Sequence, residues 1–174
     1  METHGGGWTL VYSYTFTNYD NFNSPSNAVT PRPTWPGDRL NVPISTTPPL
    51  SESSLGALDW NLWKNIGNEF MVKSNINDWL VCQPDGGSMV TDTRGSITCQ
   101  NIKNVATACS GAVPYLIQWS RLGPILRASS TYYFFDGSTD GFTPINNPCG
   151  IVKDGTDSHH KKGVSNPGGQ IYIR

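Results

Sequence analysis

The feature that most constrains this chain is an alternation of residue types near its N-terminal end. Trp8, Leu10, Tyr12, Tyr14 and Phe16 occupy every second position, and smaller residues, most of them with a hydroxyl group, stand between them. Because successive side chains of a β-strand point to opposite faces, a period of two is typical of a strand. We therefore predict a strand with one buried aromatic face and one solvent-exposed hydroxylated face.

The composition predicts a single turn-rich domain with an aromatic core. The chain has 174 residues, a formal net charge of −1 and only 14% charged residues. Such a low charge argues against a nucleic-acid partner, which needs clustered lysine and arginine, and against the most acidic class of mineral-binding protein. The 18 glycines, 13 prolines and six tryptophans favour turns and an aromatic core over a helical bundle.

One segment, residues 51–66, has the pattern of an amphipathic helix. Leu55, Leu58, Leu62 and Ile66 recur at spacings of three and four, after serines that could cap its first turn. Shorter apolar segments predict further strands at 69–73, 79–82, 96–99, 113–119, 132–135 and 170–174. The last of these should close the sheet beside the N-terminal strand. We therefore predict an α+β fold, with a twisted, mostly antiparallel sheet, one main helix and long structured loops.

The proline-rich segment from residue 18 to residue 49 should be irregular. Seven of its residues are prolines, which block both helices and interior strands. Aromatic residues such as Trp35 favour an ordered excursion pinned to the core, and the alternative is a disordered linker.

The cysteines indicate an oxidising compartment. Cys82, Cys99, Cys109 and Cys149 form an even set without a Cys-x-x-Cys pair, so we predict two disulfides and leave their three possible pairings open. No apolar run approaches the 18 residues of a membrane span. We expect a secreted protein whose signal peptide lies upstream of Met1.

Several motifs resemble those of known extracellular proteins. Met1–Val11, with its Gly-Gly-Gly-Trp-Thr core, resembles the start of the fibrinogen-related domain, although the cysteine that precedes the methionine in that family is missing. Residues 42–50, 59–64, 132–138 and 165–172 are similar to coral proteins of the uncharacterised skeletal organic matrix protein 5 type. The resemblance implies a fibrinogen-like fold over residues 1–174 and a place in an extracellular or skeletal organic matrix.

A first candidate site is the oxygen-rich segment that begins at Asp136. Asp136, Ser138 and Asp140 alternate before Gly141, as in the first half of a calcium loop. The twelfth position is Asn147, where an EF-hand needs a bidentate glutamate, so an EF-hand is excluded. The resemblance implies a single calcium ion in this region, held by aspartates and backbone carbonyls. The alternative is a plain polar turn.

A second candidate site is the polar segment 154–162, with Asp154, Asp157, His159 and His160 as possible ligand-binding residues. Adjacent histidines resemble the pair in the calcium-dependent sugar site of intelectins. They point to opposite sides of an extended chain, however, which makes them poor chelators. A solvated loop is the alternative.

The function expected from these features is binding without catalysis. Aromatic rings beside amides suit glycans, and a matrix protein is the other expected partner. The tryptophans that could stack on a sugar could equally be core residues. The alternative is a matrix-polysaccharide hydrolase that uses two unidentified carboxylates, for which the candidates are Glu52, Asp59, Glu69, Asp78 and Asp136.

Overall fold

The structure is a computed structural model that describes residues 6–18, 26–140 and 159–174. These residues form ten β-strands and one 3-10 helix, Trp60–Asn65. The strands are β1 Thr9–Phe16, β2 Val29–Thr30, β3 Gly56–Ala57, β4 Phe70–Ser74, β5 Trp79–Asp85, β6 Gly95–Lys103, β7 Leu116–Ser120, β8 Gly123–Arg127, β9 Thr131–Phe134 and β10 Gly168–Ile173.

All the described strands belong to one antiparallel sheet. Its order is β2-β1-β10-β4-β5-β6-β7-β8-β9, and β3 also pairs with β1. The predicted pairing of the first and last strands is confirmed, because β1 lies beside β10. The sequence pattern does not predict β8, whose first residues, Gly123 and Pro124, are typical of turns.

The predicted α+β class is wrong, since the described residues contain no α-helix in segment 51–66 or elsewhere. Gly56 pairs with Ser13 of β1, and a Cβ at Gly56 would lie 2.6 Å from the carbonyl oxygen of Thr47. The short 3-10 helix begins only after Asp59, whose side chain accepts a hydrogen bond from the backbone of Asn61. Strand pairing at Gly56, a poor helix former, therefore overrides the leucine periodicity.

The leucines that predicted the helix do not form a buried stripe. Leu55 is 52% exposed and Leu62 is 46% exposed, whereas Trp63 is fully buried. Leu58 and Ile66 contact the core, but their side chains are only partly buried. The helical spacing is thus coincidental, and the tryptophan anchors this segment.

The expected exposed face of β1 is also wrong, because both faces are buried. Tyr12, Tyr14 and Phe16 lie in the core as predicted, but Ser13 and Thr15 are also buried. The Ser13 hydroxyl donates to the backbone oxygen of Glu52 at 2.7 Å, and the Thr15 hydroxyl donates to that of Pro167 at 3.0 Å. Chain segments therefore cover the face that the pattern assigns to solvent.

The described part of the proline-rich segment is ordered around Trp35. The Trp35 ring centroid lies 5.4 Å from Tyr12, 6.0 Å from Trp63 and 6.0 Å from Phe135. This buried ring ties residues 26–49 to the aromatic core, as predicted for the ordered alternative.

One disulfide is confirmed among the described residues. Cys82 and Cys99 stand opposite each other on β5 and β6 and are bonded, with their Cα atoms 4.0 Å apart. No described cysteine is a free thiol, and Cys149 lies outside the described residues. Within the same ranges, none of the helical segments has the length and hydropathy of a membrane span.

Candidate functional site

A row of polar side chains crosses the face of the sheet opposite the core. It comprises Ser13, Gln170, Lys73, Trp79 and Lys103, from β1, β10, β4, β5 and β6 respectively. Backbone register places Ser13 opposite Gln170, Gln170 opposite Lys73, and Trp79 opposite Lys103. The Lys73 ammonium lies 4.8 Å from the Trp79 ring centroid, so the residues of β1, β10 and β4 are connected to those of β5 and β6. We call this set the polar row.

One end of the polar row is covered by residues 45–55, the Glu52 loop, in which Glu52 contacts Ser13, Gln170 and Lys73. The Lys73 ammonium is 2.9 Å from a carboxylate oxygen of Glu52, and the Tyr172 hydroxyl donates to the same oxygen. The Tyr172 hydrogen bond and, after it, Lys73 hold the pKa of Glu52 below its usual value. Burial, with the nearby carboxylate, raises the pKa of Tyr172. The loop is therefore fastened to the sheet by a charged cluster.

The other end of the polar row opens into a groove of about 450 Å³, the Trp79 groove. Its lining residues include Trp79, Lys103, Asn104, Lys161 and Gln170. The half-buried Trp79 indole donates to the backbone oxygen of Ser74 at 2.8 Å, which fixes the plane of the ring. An anchored ring thus stands in a depression whose other lining groups are largely polar.

The wall that carries Asn104 is held by a buried carboxylate. Asp78 is fully buried, and one of its oxygens accepts hydrogen bonds from the backbone of Val105 at 2.6 Å and of Ala106 at 2.8 Å. Its other oxygen accepts from the Asn101 amide at 2.8 Å. These bonds fix the turn after β6, while the exposed Asn104 amide makes no hydrogen bond within the described part of the chain.

Two lysines give the Trp79 groove its charge. The Lys103 ammonium lies 4.2 Å from the Trp79 ring centroid. Lys161 is exposed, and its backbone N–H donates to the oxygen of Ile76 at 2.7 Å, which places it beside the groove. In the described ranges, neither lysine has an acidic partner within 4.0 Å.

The predicted calcium residues lie elsewhere, beside a second depression of about 510 Å³. Ser138 and Asp140 line it, whereas Asp136 is fully buried and accepts a hydrogen bond from the Ser138 backbone at 2.8 Å. The Asp140 carboxylate accepts from the Asn41 amide at 2.8 Å. The described residues contain no group of three acids, histidines or cysteines around one point, and Asn147 falls outside them.

The two predicted histidines differ in burial, since His159 is half-buried and His160 is buried. His160 is 6% exposed, and burial, with the nearby Lys162, lowers its pKa to about 4. The His159 backbone oxygen accepts from Thr107. Neither histidine lines the Trp79 groove, and Asp154 and Asp157 lie outside the described residues.

The sequence analysis named Glu52 as a candidate carboxylate and placed Lys161 within the polar segment 154–162, but it missed most of the other groove residues. Trp79 was one of several tryptophans for which exposure was left open. The only local signal was a tryptophan at the start of a predicted strand. Its pairing with Lys103 depends on a register shift between Trp79 and Leu80.

Compared with models of protein families, with curated proteins and with solved structures, the chain has no match. The resemblance to fibrinogen-related domains and to coral matrix proteins therefore stays a prediction.

Proposed function

We propose that this protein is a secreted, non-catalytic module of an extracellular matrix that binds a glycan in the Trp79 groove. The observation that carries the proposal is the half-exposed indole of Trp79, anchored beside the amides of Asn104 and Gln170. Sugars present C–H faces that stack on aromatic rings and hydroxyl groups that bond to amides. The resemblance to lectin-like fibrinogen-related domains and skeletal matrix proteins supports the same class of function.

The surroundings of the ring suit recognition, since the groove is held in place before a ligand arrives. Ser74 fixes the indole, Asp78 fixes the turn that bears Asn104, and the Gln170 amide donates to the Glu52 backbone at 3.1 Å. A preformed site spares a ligand the cost of ordering these side chains, about 0.5–1.5 kcal/mol each.

The hydrolase alternative has less support, because the candidate carboxylates have structural partners. Glu69 pairs with Arg174, Asp59 caps the 3-10 helix and Asp78 supports the groove wall. A glycosidase needs one carboxyl group whose pKa is raised so that it can act as the acid. Hydrogen bonds, from Tyr172 to Glu52 and from Asn61 to Asp59, instead lower the pKa of these two groups.

A glycan array probed with and without calcium tests the proposal, followed by titration calorimetry with a retained oligosaccharide. Trp79→Ala should weaken binding at least about tenfold, the loss expected when about 1.4 kcal/mol of ring stacking is removed. Trp8→Ala is the matched control, since Trp8 is also half-buried under a cation, with the Arg174 guanidinium 4.5 Å from its ring, but lies outside the groove.

Circular dichroism should confirm that both variants are folded. Asn104→Ala provides a second test that disturbs no described hydrogen bond. Equal binding by the wild type, Trp79→Ala and Asn104→Ala would exclude this groove as the site. If the array retains no glycan at all, the proposed glycan-binding function is wrong.

A further inference from the structure

We propose that the glycan bound in the Trp79 groove is acidic, with a carboxylate or sulfate group that contacts Lys103 and Lys161. This inference rests on the proposed function and specifies the class of ligand. Its basis is the charge that is left at the groove once the ion pairs of the polar row are assigned.

Three charged side chains line the groove, namely Glu52, Lys103 and Lys161. Glu52 is neutralised by Lys73, which is 94% buried at its side chain and holds the carboxylate at 2.9 Å. Lys103 and Lys161 have no acidic partner in the described parts of the chain. Among the described residues, the side chains at the open end of the groove therefore carry two positive charges, although the protein as a whole has a formal net charge of −1. Such a local excess favours an anionic ligand.

Lys103 also connects the charge to the ring. Its ammonium rests against the Trp79 indole at 4.2 Å, a cation–π contact that is weak at an exposed position. An acidic group in the groove would give this ammonium a stronger, charge-assisted partner. Movement of Lys103 toward that group would uncover the ring, on which the sugar could then stack. One lysine thus links recognition of the anion to recognition of the sugar.

A saccharide fits the groove better than a nucleic acid. Proteins that bind single strands present several aromatic rings along a basic channel. The Trp79 groove offers one ring, two cations and exposed amides in about 450 Å³. This inventory matches a few sugar units that carry one or two acidic groups.

The experiment compares four probes of similar length by titration calorimetry at low and at 0.5 M salt. They are a sulfated glucan oligosaccharide, an oligogalacturonate, an uncharged glucan oligosaccharide and a single-stranded oligonucleotide. We expect binding of one or both acidic oligosaccharides, weakened by salt, and at least about tenfold weaker binding of the uncharged one, the factor expected for one lost charge-assisted contact. Comparison of the sulfated oligosaccharide with the oligogalacturonate identifies which acidic group is recognised.

Lys103→Gln and Lys161→Gln should each weaken acidic-oligosaccharide binding about tenfold and flatten its salt dependence. Lys64→Gln makes the same charge change on an exposed lysine outside the groove and should have no effect. All three positions are exposed, so the variants should fold.

The outcomes separate this inference from the function on which it rests. Trp79-dependent binding of the uncharged glucan as tight as that of the acidic ones, unaffected by either lysine variant, would overturn the acidic ligand and leave glycan binding intact. Binding of no saccharide would overturn both. Equally tight binding of the oligonucleotide would replace the acidic glycan with a general preference for polyanions.

Discussion

Lys73 and Glu52 form an ion pair, and removing Glu52 should destabilise the protein more than removing Lys73. The Lys73 side chain is 6% exposed, whereas that of Glu52 is 42% exposed. Lys73→Met leaves a carboxylate that water reaches and that still accepts from Tyr172. Glu52→Gln leaves an ammonium that is enclosed between the rings of Trp79 and Tyr172, at 4.8 and 4.9 Å, and that has lost the Glu52 carboxylate.

The magnitudes follow from this difference in hydration. Removing one partner of a fully buried ion pair costs about 3–5 kcal/mol, because the other charge stays behind in a dry environment. Half exposure of Glu52 reduces this figure, so we expect Glu52→Gln to lower the free energy of unfolding by about 2–3 kcal/mol. Lys73→Met, whose stem still packs on the rings, should cost only about 0.5–1.5 kcal/mol.

Urea unfolding of the two single variants and the double variant at pH 7 measures both costs and their coupling. Once the ammonium is gone, Glu52→Gln should cost little, so the double variant should be less destabilised than the sum of the single changes by about 1–2 kcal/mol. Because the folded pKa of Glu52 is lowered, its contribution should be present above pH 4.5 and disappear as the pH falls through the folded pKa. Equal costs, or a larger cost for Lys73→Met, would refute the assigned difference in hydration.

Two further predictions concern stability. Trp63→Ala should lower the free energy of unfolding, measured in urea, by about 3–5 kcal/mol, because the ring is fully buried. Leu62 is 46% exposed, so Leu62→Ala should change this free energy by no more than about 0.5 kcal/mol, and a larger loss would contradict the assigned exposure of Leu62. His160 has a pKa lowered from 6.5 to about 4, so below pH 6.5 the unfolded chain binds more protons, and stability should fall between pH 6.5 and pH 4. The loss should reach at least about 1–2 kcal/mol, since each unit by which the pKa is lowered corresponds to about 1.4 kcal/mol. His160→Gln should flatten this part of a melting-temperature profile, and an unchanged slope would show that other groups cause it.

The strands were the most predictable part of the fold, because their information is local. Period-two alternation located β1 and β10, and the short apolar runs located β4 to β6. The false helix had an equally clear local pattern, but Gly56 pairs with a strand more than 40 residues earlier. A three-and-four spacing of leucines carries no information about such a partner.

The candidate site was less predictable, since it is assembled by register. Trp79 and Lys103 become neighbours only because β5 and β6 pair with a shift at one end of the ladder. A displacement of one residue would move either side chain to the opposite face. A lysine in a strand is similarly expected to face solvent, whereas Lys73 of β4 is buried beneath the Glu52 loop. The calcium and histidine hypotheses relied on residues adjacent in sequence, whereas the Trp79 groove gathers residues from distant segments.

The Trp79 groove combines a rigid part with an adaptable part, and under the proposed function these two parts have different roles in glycan binding. The Trp79 ring is held by Ser74, and the Gln170 amide by the Glu52 loop, so their geometry is set before a ligand arrives. Lys103 and Lys161 project from exposed positions on flexible stems. Fixed rings and amides discriminate between sugar shapes, because a misplaced partner cannot be accommodated. Flexible cations accept an anion at several positions and mainly increase association rate and salt dependence. Selectivity for the sugar ring should therefore reside in Trp79 and Gln170, and selectivity for charge in the two lysines.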